Sequence, residues 1–425
     1  MSDSGIGRRR QSEVYLAGAR GRRQRVPVDF TTLEQKASQV MSREAFAYIA
    51  GGAGAEQTML ANRAALDRWV IVPRVLRDVS LRDTSVELFG RVLPGPFLLA
   101  PIGVLEMAHR DADLAVARAA AREGVPAILS SQASKTMEDC AAAMGNAPRW
   151  FQLYWSTSDE LVESFVSRAE ACGCEAIVVT LDTTLLGWRI RDLDLAYLPF
   201  LHGKGIAQYT SDPVFQSQLD ADELPGESGP PTLAALRTLF DISRAYPGRF
   251  LDNLRSPRPR AAVRRFVDTY SRPSLGWDQL PFLRQVTKLP VLLKGVLHPD
   301  DARRAIEEGI DGIVVSNHGG RQVDGAIAAA DALPDVVEAV EGRIPILFDS
   351  GVRGGSDAFK PLALGATAVL LGRPYVYGLA LAGEEGVGEV IRNFLADFDL
   401  TMGLAGCRSV GEISPAMLRR VGDRA

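Results

Sequence analysis

The stretch GIVVSNHGGRQ (312–322) places His318 and Arg321 three residues apart, directly behind a short apolar run. Imidazole suits proton abstraction near neutral pH, and a guanidinium grips a carboxylate through two parallel hydrogen bonds. The chain has four histidines, and His109, His202 and His298 lack any comparable setting. Asp182 ends another apolar run, AIVVTLD (176–182), and could fix the tautomer of His318 and stabilise the imidazolium. Arg189, in GWRIRD just beyond it, could converge with Arg321 on one carboxylate substrate. Lys294 sits within VLLKGV, where an ammonium is costly unless an anion meets it. A Schiff base, an anionic ring or a structural pairing with Asp349 or Asp182 would each account for it.

Two glycine-rich stretches suit a phosphate. In DSGVRGG (349–355) and GRP (372–374), glycines admit an anion to backbone N–H groups, and Arg353 and Arg373 add charge-assisted hydrogen bonds. No GxGxxG follows the first strand-like run and no Walker pattern occurs, so a Rossmann or P-loop site has no support. No His, Asp or Glu set has metal-ligand spacing. Cys140, Cys172, Cys174 and Cys407 form no CxxC pair and read as reduced thiols.

These residues need elements that bring them together. Eight apolar runs begin at residues 97, 127, 150, 176, 290, 312, 345 and 368, with amphipathic helical stretches between them. Runs without polar alternation are what a parallel sheet covered on both faces requires. Eight β-then-α units predict a (β/α)8 barrel, with a doubly wound open sheet as the alternative. Tyr154, Thr180, Asp182, Lys294, Asn317, His318, Asp349 and Arg373 all fall where a run ends, which is the catalytic rim of such barrels. Residues 1–25 read as a flexible, basic, solvated arm, and 26–96 as a helical segment packing on the barrel. The barrel is expected over 97–425, with a partly helical lid inserted at 188–277 whose clearest helix is PPTLAALRTLFDISRAY (230–246). A formal net charge of −4 provides no basic field for nucleic acid. No window approaches 18 apolar residues and no apolar segment follows the N-terminal arginines, so a cytoplasmic protein without a membrane partner is expected.

SNHGGRQ, LLKGV, DSGVRGG with GRP, FQLYW and AYIAGGAGAEQTMLANRAAL together resemble the FMN-dependent 2-hydroxy acid oxidase and dehydrogenase family. The likeness runs from about residue 26 to 413. RQSEVYLAGARG, APIGV, LDTTLLGWRIRDLDLAYLPF and GIAQYTSDPVF are most similar to its lactate 2-monooxygenase branch. The resemblance implies FMN as cofactor, a small L-2-hydroxy acid and O2 as reactants, and a homo-oligomer, tetrameric or octameric. It implies His318 as general base with Asp182 behind it, and Arg189 and Arg321 on the carboxylate. Tyr48 and Tyr154 would hydrogen-bond the carboxylate and hydroxyl, and Lys294 would face the isoalloxazine. Gln152, Thr180 and Ser130 would contact the ring, with Ser316 nearby and Pro101, Ile102 and Gly103 near N5. Asp349, Gly351, Arg353, Gly372 and Arg373 would hold the ribityl chain and phosphate. In the monooxygenase branch the 2-oxo acid stays bound and is decarboxylated by the hydrogen peroxide formed. A dehydrogenase serving a quinone or protein carrier, and a catalytically silent flavin-binding paralogue, are the competing readings.

The sequence departs from the family pattern at a few positions. Ala55 stands for an acidic residue and Thr184 for a proline, while Gly103, where many oxidases of the family carry alanine, leaves more room near N5, in keeping with the monooxygenase branch. Gln132 occupies a rim position where relatives carry apolar, aromatic or hydroxyl-bearing residues, so the substrate side chain need not be that of lactate.

Overall fold

The computed structural model describes residues 5–220 and 232–422. Each of the eight apolar runs forms a strand: β1 (Phe97–Leu99), β2 (Ala127–Ser130), β3 (Arg149–Leu153), β4 (Ile177–Thr180), β5 (Val291–Val296), β6 (Gly312–Val315), β7 (Ile346–Phe348) and β8 (Ala368–Leu371). Each pairs in parallel with the next, and β8 pairs with β1 at Leu371–Leu99, closing an eight-stranded barrel. The open-sheet alternative is excluded.

Side chains alternate between two cores, as the strand period demands. Leu98, Ile128, Trp150, Val178, Leu292, Val314, Leu347 and Leu370 fill the barrel interior. Phe97, Leu99, Phe151, Ile177, Val179, Ile313, Val315 and Phe348 point outward into the layer packed by helices. Both faces are therefore dry, which explains the unbroken apolar runs. A hairpin of Val86–Leu88 and Arg91–Leu93 sends Leu88 and Leu93 into the interior cluster. Phe89 at its tip meets Trp150 with ring centroids 5.7 Å apart. This hairpin fills the N-terminal end of the barrel, which leaves the C-terminal rim as the open end.

Three regions outside the repeat shape that rim. The helix-like stretch before the barrel is two helices, Phe30–Val40 and Arg43–Ala50. Asp29 caps the first, and the chain breaks at Met41 because Ser42 caps the second, its hydroxyl accepting from Ala45 N–H. The second helix buries Tyr48. The insertion after β4 is helical over most of its described length, including Leu233–Ala245, which starts at the Thr232 cap. The first two residues of the lid stretch singled out above lie outside the described residues. Phe200, Tyr209, Phe266 and Tyr270 give this lid its own aromatic core, with centroids 4.8–5.1 Å apart.

The N-terminal arm is not simply a solvated tail. Ile6–Ala19 is a helix lying against Arg373–Leu404, two helical stretches joined by a kink at Ala382 and Gly383. The cause is Asp399, a buried carboxylate that needs donors. It accepts from Gly7 N–H at 2.8 Å and from Arg82 at 2.8 and 2.9 Å. A Cβ at Gly7 would come within 2.4 Å of Leu400, so glycine is what permits the approach. The rest of the helix is largely exposed. Among the described residues no helix is long and apolar enough to cross a membrane.

Candidate active site

A cavity opens at the C-terminal rim, walled by the loops after the strands, with Leu186 among them, by Tyr48 and by lid residues Phe200 and Tyr270. All the residues proposed from sequence for catalysis, substrate or cofactor line it, apart from Asp182 and Ser316. Those two stand one layer behind, each holding a residue that does line it.

His318 is presented by an unusual turn. It has φ 58°, and Gly319 and Gly320 continue in the left-handed region at 64° and 76°. Such a conformation is uncommon for a non-glycine residue and costs on the order of 1 kcal/mol. Side chains at the two glycines are also excluded by space, because a Cβ would meet Arg373 Nη1 at 2.9 Å or Met59 N at 2.5 Å. The turn is held by Asn317, whose amide exchanges hydrogen bonds with Asn62 at 2.7 and 2.8 Å. Ser350 Oγ also accepts from the N–H groups of Asn317 and Gly319. That is why a strand runs straight into Asn-His-Gly-Gly.

The imidazole Nδ1 lies 2.7 Å from Asp182 Oδ1, and Thr183 Oγ1 donates to the same carboxylate oxygen at 3.0 Å. With Nδ1 committed, Nε2 is the nitrogen left to act on a ligand. Burial lowers the pKa of His318 below its ordinary value, and Asp182 only partly offsets this, so the ring is neutral at pH 7. Burial alone would raise Asp182, but His318 and Lys294 pull it down to about 2. The pair rests as neutral imidazole beside carboxylate, the state a general base needs.

Lys294 is buried with Nζ 3.0 Å from Asp349 Oδ2 and donating to Ser316 Oγ at 2.8 Å. Burial pushes its pKa down, yet Asp349 and Asp182 more than reverse this, so the ammonium stays charged. This pairing is the structural partner foreseen for Lys294, and the ammonium still lines the cavity.

The arginines are different. Arg321 donates to the carbonyls of Tyr48 and Gly51, and Arg189 to the Arg321 carbonyl and to Gln322 Oε1. Both guanidiniums stand near the Tyr48 ring, 5.1 and 5.9 Å from its centroid. Arg373 donates to the carbonyls of Ile49, Gly51 and Gly319, while Arg353 lies 4.2 Å over the Phe30 ring. None of the four meets a carboxylate among the described residues. Burial and mutual repulsion accordingly depress Arg321 to about 9 and Arg353 to about 10. Two pairs of buried or half-buried cations, none in an ion pair among the described residues, make two anion sites within one cavity.

Between them lie buried polar atoms without partners. Gln152 Oε1 accepts from Ser130 Oγ and Ser131 N–H, which turns its amide nitrogen away from them; that nitrogen and Thr180 Oγ1 have no hydrogen bond among the described residues. Buried donors and acceptors are rarely left unpaired. A flat heterocycle with carbonyls and ring nitrogens on its edge would satisfy them, its phosphate falling to Arg353 and Arg373. The donor set fits FMN.

Sequence reasoning missed several residues that orient the others. Thr183 was legible only as a neighbour of Asp182, and Gln322 as a neighbour of Arg321. Gln322 bridges the loops, donating to the carbonyls of Asp182 and Leu185 at 2.7 and 2.8 Å. Ser350, Asn62, Phe200 and Tyr270 carried no signal of their own.

A parallel barrel whose rim couples a neutral, carboxylate-backed imidazole to a phosphate-bearing heterocycle site is the frame of a flavin oxidoreductase. The FMN-dependent dehydrogenase family model matches residues 37–420. An L-lactate oxidase of Lysinibacillus sphaericus (strain C3-41) is 43% identical over 384 residues, covering 90% of each chain. An FMN-dependent alpha-hydroxy acid dehydrogenase of Penicillium citrinum is 42% identical over 412 residues, covering 97% of this chain and 95% of the relative. A crystal structure of mandelate oxidase superposes with a TM-score of 0.74 at 35% identity, covering 93% of this chain and 98% of the other. The chain belongs to the FMN-dependent 2-hydroxy acid oxidase and dehydrogenase family, and FMN is its cofactor.

Proposed function

We propose that this protein oxidises an L-2-hydroxy acid to the 2-oxo acid and passes the electron pair to O2, forming hydrogen peroxide. The observation that carries the reading is the placing of a neutral His318, backed by Asp182, in one cavity with the unpaired Arg189 and Arg321. Those guanidiniums, with Tyr48, bind and orient the substrate carboxylate. Tyr154 is kept protonated by burial, which raises its pKa, and donates to the substrate hydroxyl. His318 Nε2 takes the proton lost in oxidation at the α-carbon, and Asp182 stabilises the imidazolium that results. FMN, when bound, supplies the two-electron acceptor. Lys294 offers a fixed positive charge to the negative charge that develops there. Ser130, Gln152, Thr180 and the loop Pro101, Ile102 and Gly103 hold the ring, with Ser316 fixing Lys294. Asp349, Gly351, Arg353, Gly372 and Arg373 hold the ribityl chain and phosphate.

A second reading is favoured by the lid, whose Phe200 and Tyr270 wall the cavity in which a 2-oxo acid would form. A product held there reacts with the hydrogen peroxide to give a carboxylic acid one carbon shorter, CO2 and water. The test is anaerobic mixing of the FMN-loaded protein with a panel of L-2-hydroxy acids, followed by air and product analysis. Bleaching, O2 uptake and a 2-oxo acid with peroxide support the oxidase, and the shortened acid supports the second reading. Bleaching that is reversed only by a dye identifies a dehydrogenase. A protein that stays yellow with every acid is a silent flavin-binding paralogue.

A further inference from the structure

Gln132, a departure from the family pattern, packs against Gly103. A Cβ at Gly103 would lie 3.0 Å from both the Cβ and the carbonyl oxygen of Gln132, and 3.5 Å from Oε1. Real Cβ atoms rarely come that close, so glycine at 103 lets its loop pack directly against the backbone and Cβ of residue 132. The Gln132 backbone is tied at both polar groups: its N–H donates to Ser130 Oγ at 3.1 Å and its carbonyl accepts from Val104 N–H at 2.9 Å. The residue is 7% exposed and lines the cavity, yet its amide makes no hydrogen bond among the described residues. A donor–acceptor group carried on a tethered backbone thus borders the ligand space with its amide free to bond a ligand.

Topology says which part of a ligand it meets. β2, which delivers Gln132, stands opposite β6, which delivers His318 and Arg321, in the closed barrel. A 2-hydroxy acid with its carboxylate on Arg189 and Arg321 and its α-carbon toward His318 directs its remaining substituent away from β6. Across the cavity that substituent finds Gln132, in a space that Phe200 and Tyr270 also line. Resting on the function proposed above, we infer that Gln132 selects 2-hydroxy acids whose side chain carries an uncharged hydrogen-bonding group, a hydroxyl or carboxamide. An apolar side chain of the same size strands the amide, and a site built to hydrogen-bond a substrate group discriminates strongly against an analogue lacking it.

Isosteric pairs test this. L-Glycerate is matched with L-2-hydroxybutanoate, and L-2-hydroxysuccinamate with L-2-hydroxy-4-methylpentanoate. The rate of anaerobic flavin bleaching divided by the dissociation constant is measured for each acid. Only ratios within one preparation are compared, so that the fraction of active protein cancels. The polar member of each pair is expected to be preferred by roughly 10- to 100-fold in the wild type. In Gln132→Met, which keeps the volume and removes the amide, the preference is expected to vanish or reverse. Calorimetric titration of the same acids into His318→Gln protein, which cannot turn them over, should give the same order of affinities. Equal use of both members, a preference for the apolar one, or a ratio unchanged in Gln132→Met overturns the inference while leaving the proposed oxidation intact. Failure of all four acids, and of lactate, to bleach the flavin overturns both.

Discussion

The cavity holds two kinds of basic group, and the contrast between them is instructive. On the β5–β6 side, Lys294 has Asp349 at 3.0 Å and His318 has Asp182 at 2.7 Å, so each basic group brings its own carboxylate. At the two ends, Arg189 with Arg321 and Arg353 with Arg373 touch carbonyls, an amide and aromatic rings, and among the described residues no carboxylate comes within ion-pair distance of them. Withdrawing a charge from water without an ion-pair partner is expensive, and folding alone gives no reason to collect four such groups. The paired groups are tuned by protein. The unpaired groups await anions the protein does not contain, a carboxylate at one end and a phosphate at the other.

Breaking a tuned pair should cost most. His318→Gln is expected to keep FMN and lose flavin reduction by on the order of 10⁴-fold; stopped-flow bleaching in the ordinary range would remove His318 as base. Next, Lys294→Met leaves the Asp349 carboxylate buried without its ammonium. The apoprotein should lose about 3–5 kcal/mol, read by denaturant unfolding; unaltered stability would show that the ion pair does not hold that side together. Arg353→Met supplies the opposite case, since it removes a half-buried charge that makes no ion pair among the described residues and keeps a long apolar stem over Phe30. Here the apoprotein should be no less stable while FMN affinity falls by roughly 10²-fold, about the worth of one charge-assisted hydrogen-bonded anion contact. Fluorescence titration of FMN checks it, and undiminished affinity would contradict the phosphate site. The smallest effect concerns pH. A base acts when unprotonated, and burial sets the His318 pKa below its ordinary value, so kcat/KM should stay level above about pH 6.5 and fall tenfold per unit below the imidazole's own pKa. Asp182→Asn removes the carboxylate that raises that pKa and should move the acid limb lower still. An acid limb centred above pH 6.5 would oppose this.

The barrel was legible because each strand is dry on both faces, which writes it as an unbroken apolar run. The rim was legible because its polar residues stand out at the ends of those runs. What orients them was hidden, since those contacts join distant parts of the chain through ordinary side chains. Asn62 and Asn317 are 255 positions apart, and the Gly7 N–H that anchors the N-terminal helix meets a carboxylate 392 positions away. Nothing local marks either one. The break between the helices ending at Val40 and beginning at Arg43 was readable in principle from Ser42, a capping residue inside an apparently continuous amphipathic stretch. Phe200 and Tyr270 lie in a lid whose aromatic core assembles only when its helices pack, so their place at the cavity wall came from the fold alone.

The claim that the unpaired guanidiniums mark the two anion sites is tested most directly by a crystal structure of the FMN-loaded protein with a bound 2-oxo acid. The account predicts the phosphate on Arg353 and Arg373, the ring edge on Gln152 and Thr180 beside Lys294, and the carboxylate on Arg189 and Arg321 within reach of His318 Nε2. A carboxylate bound elsewhere, or a phosphate that leaves Arg353 and Arg373 bare, would contradict it.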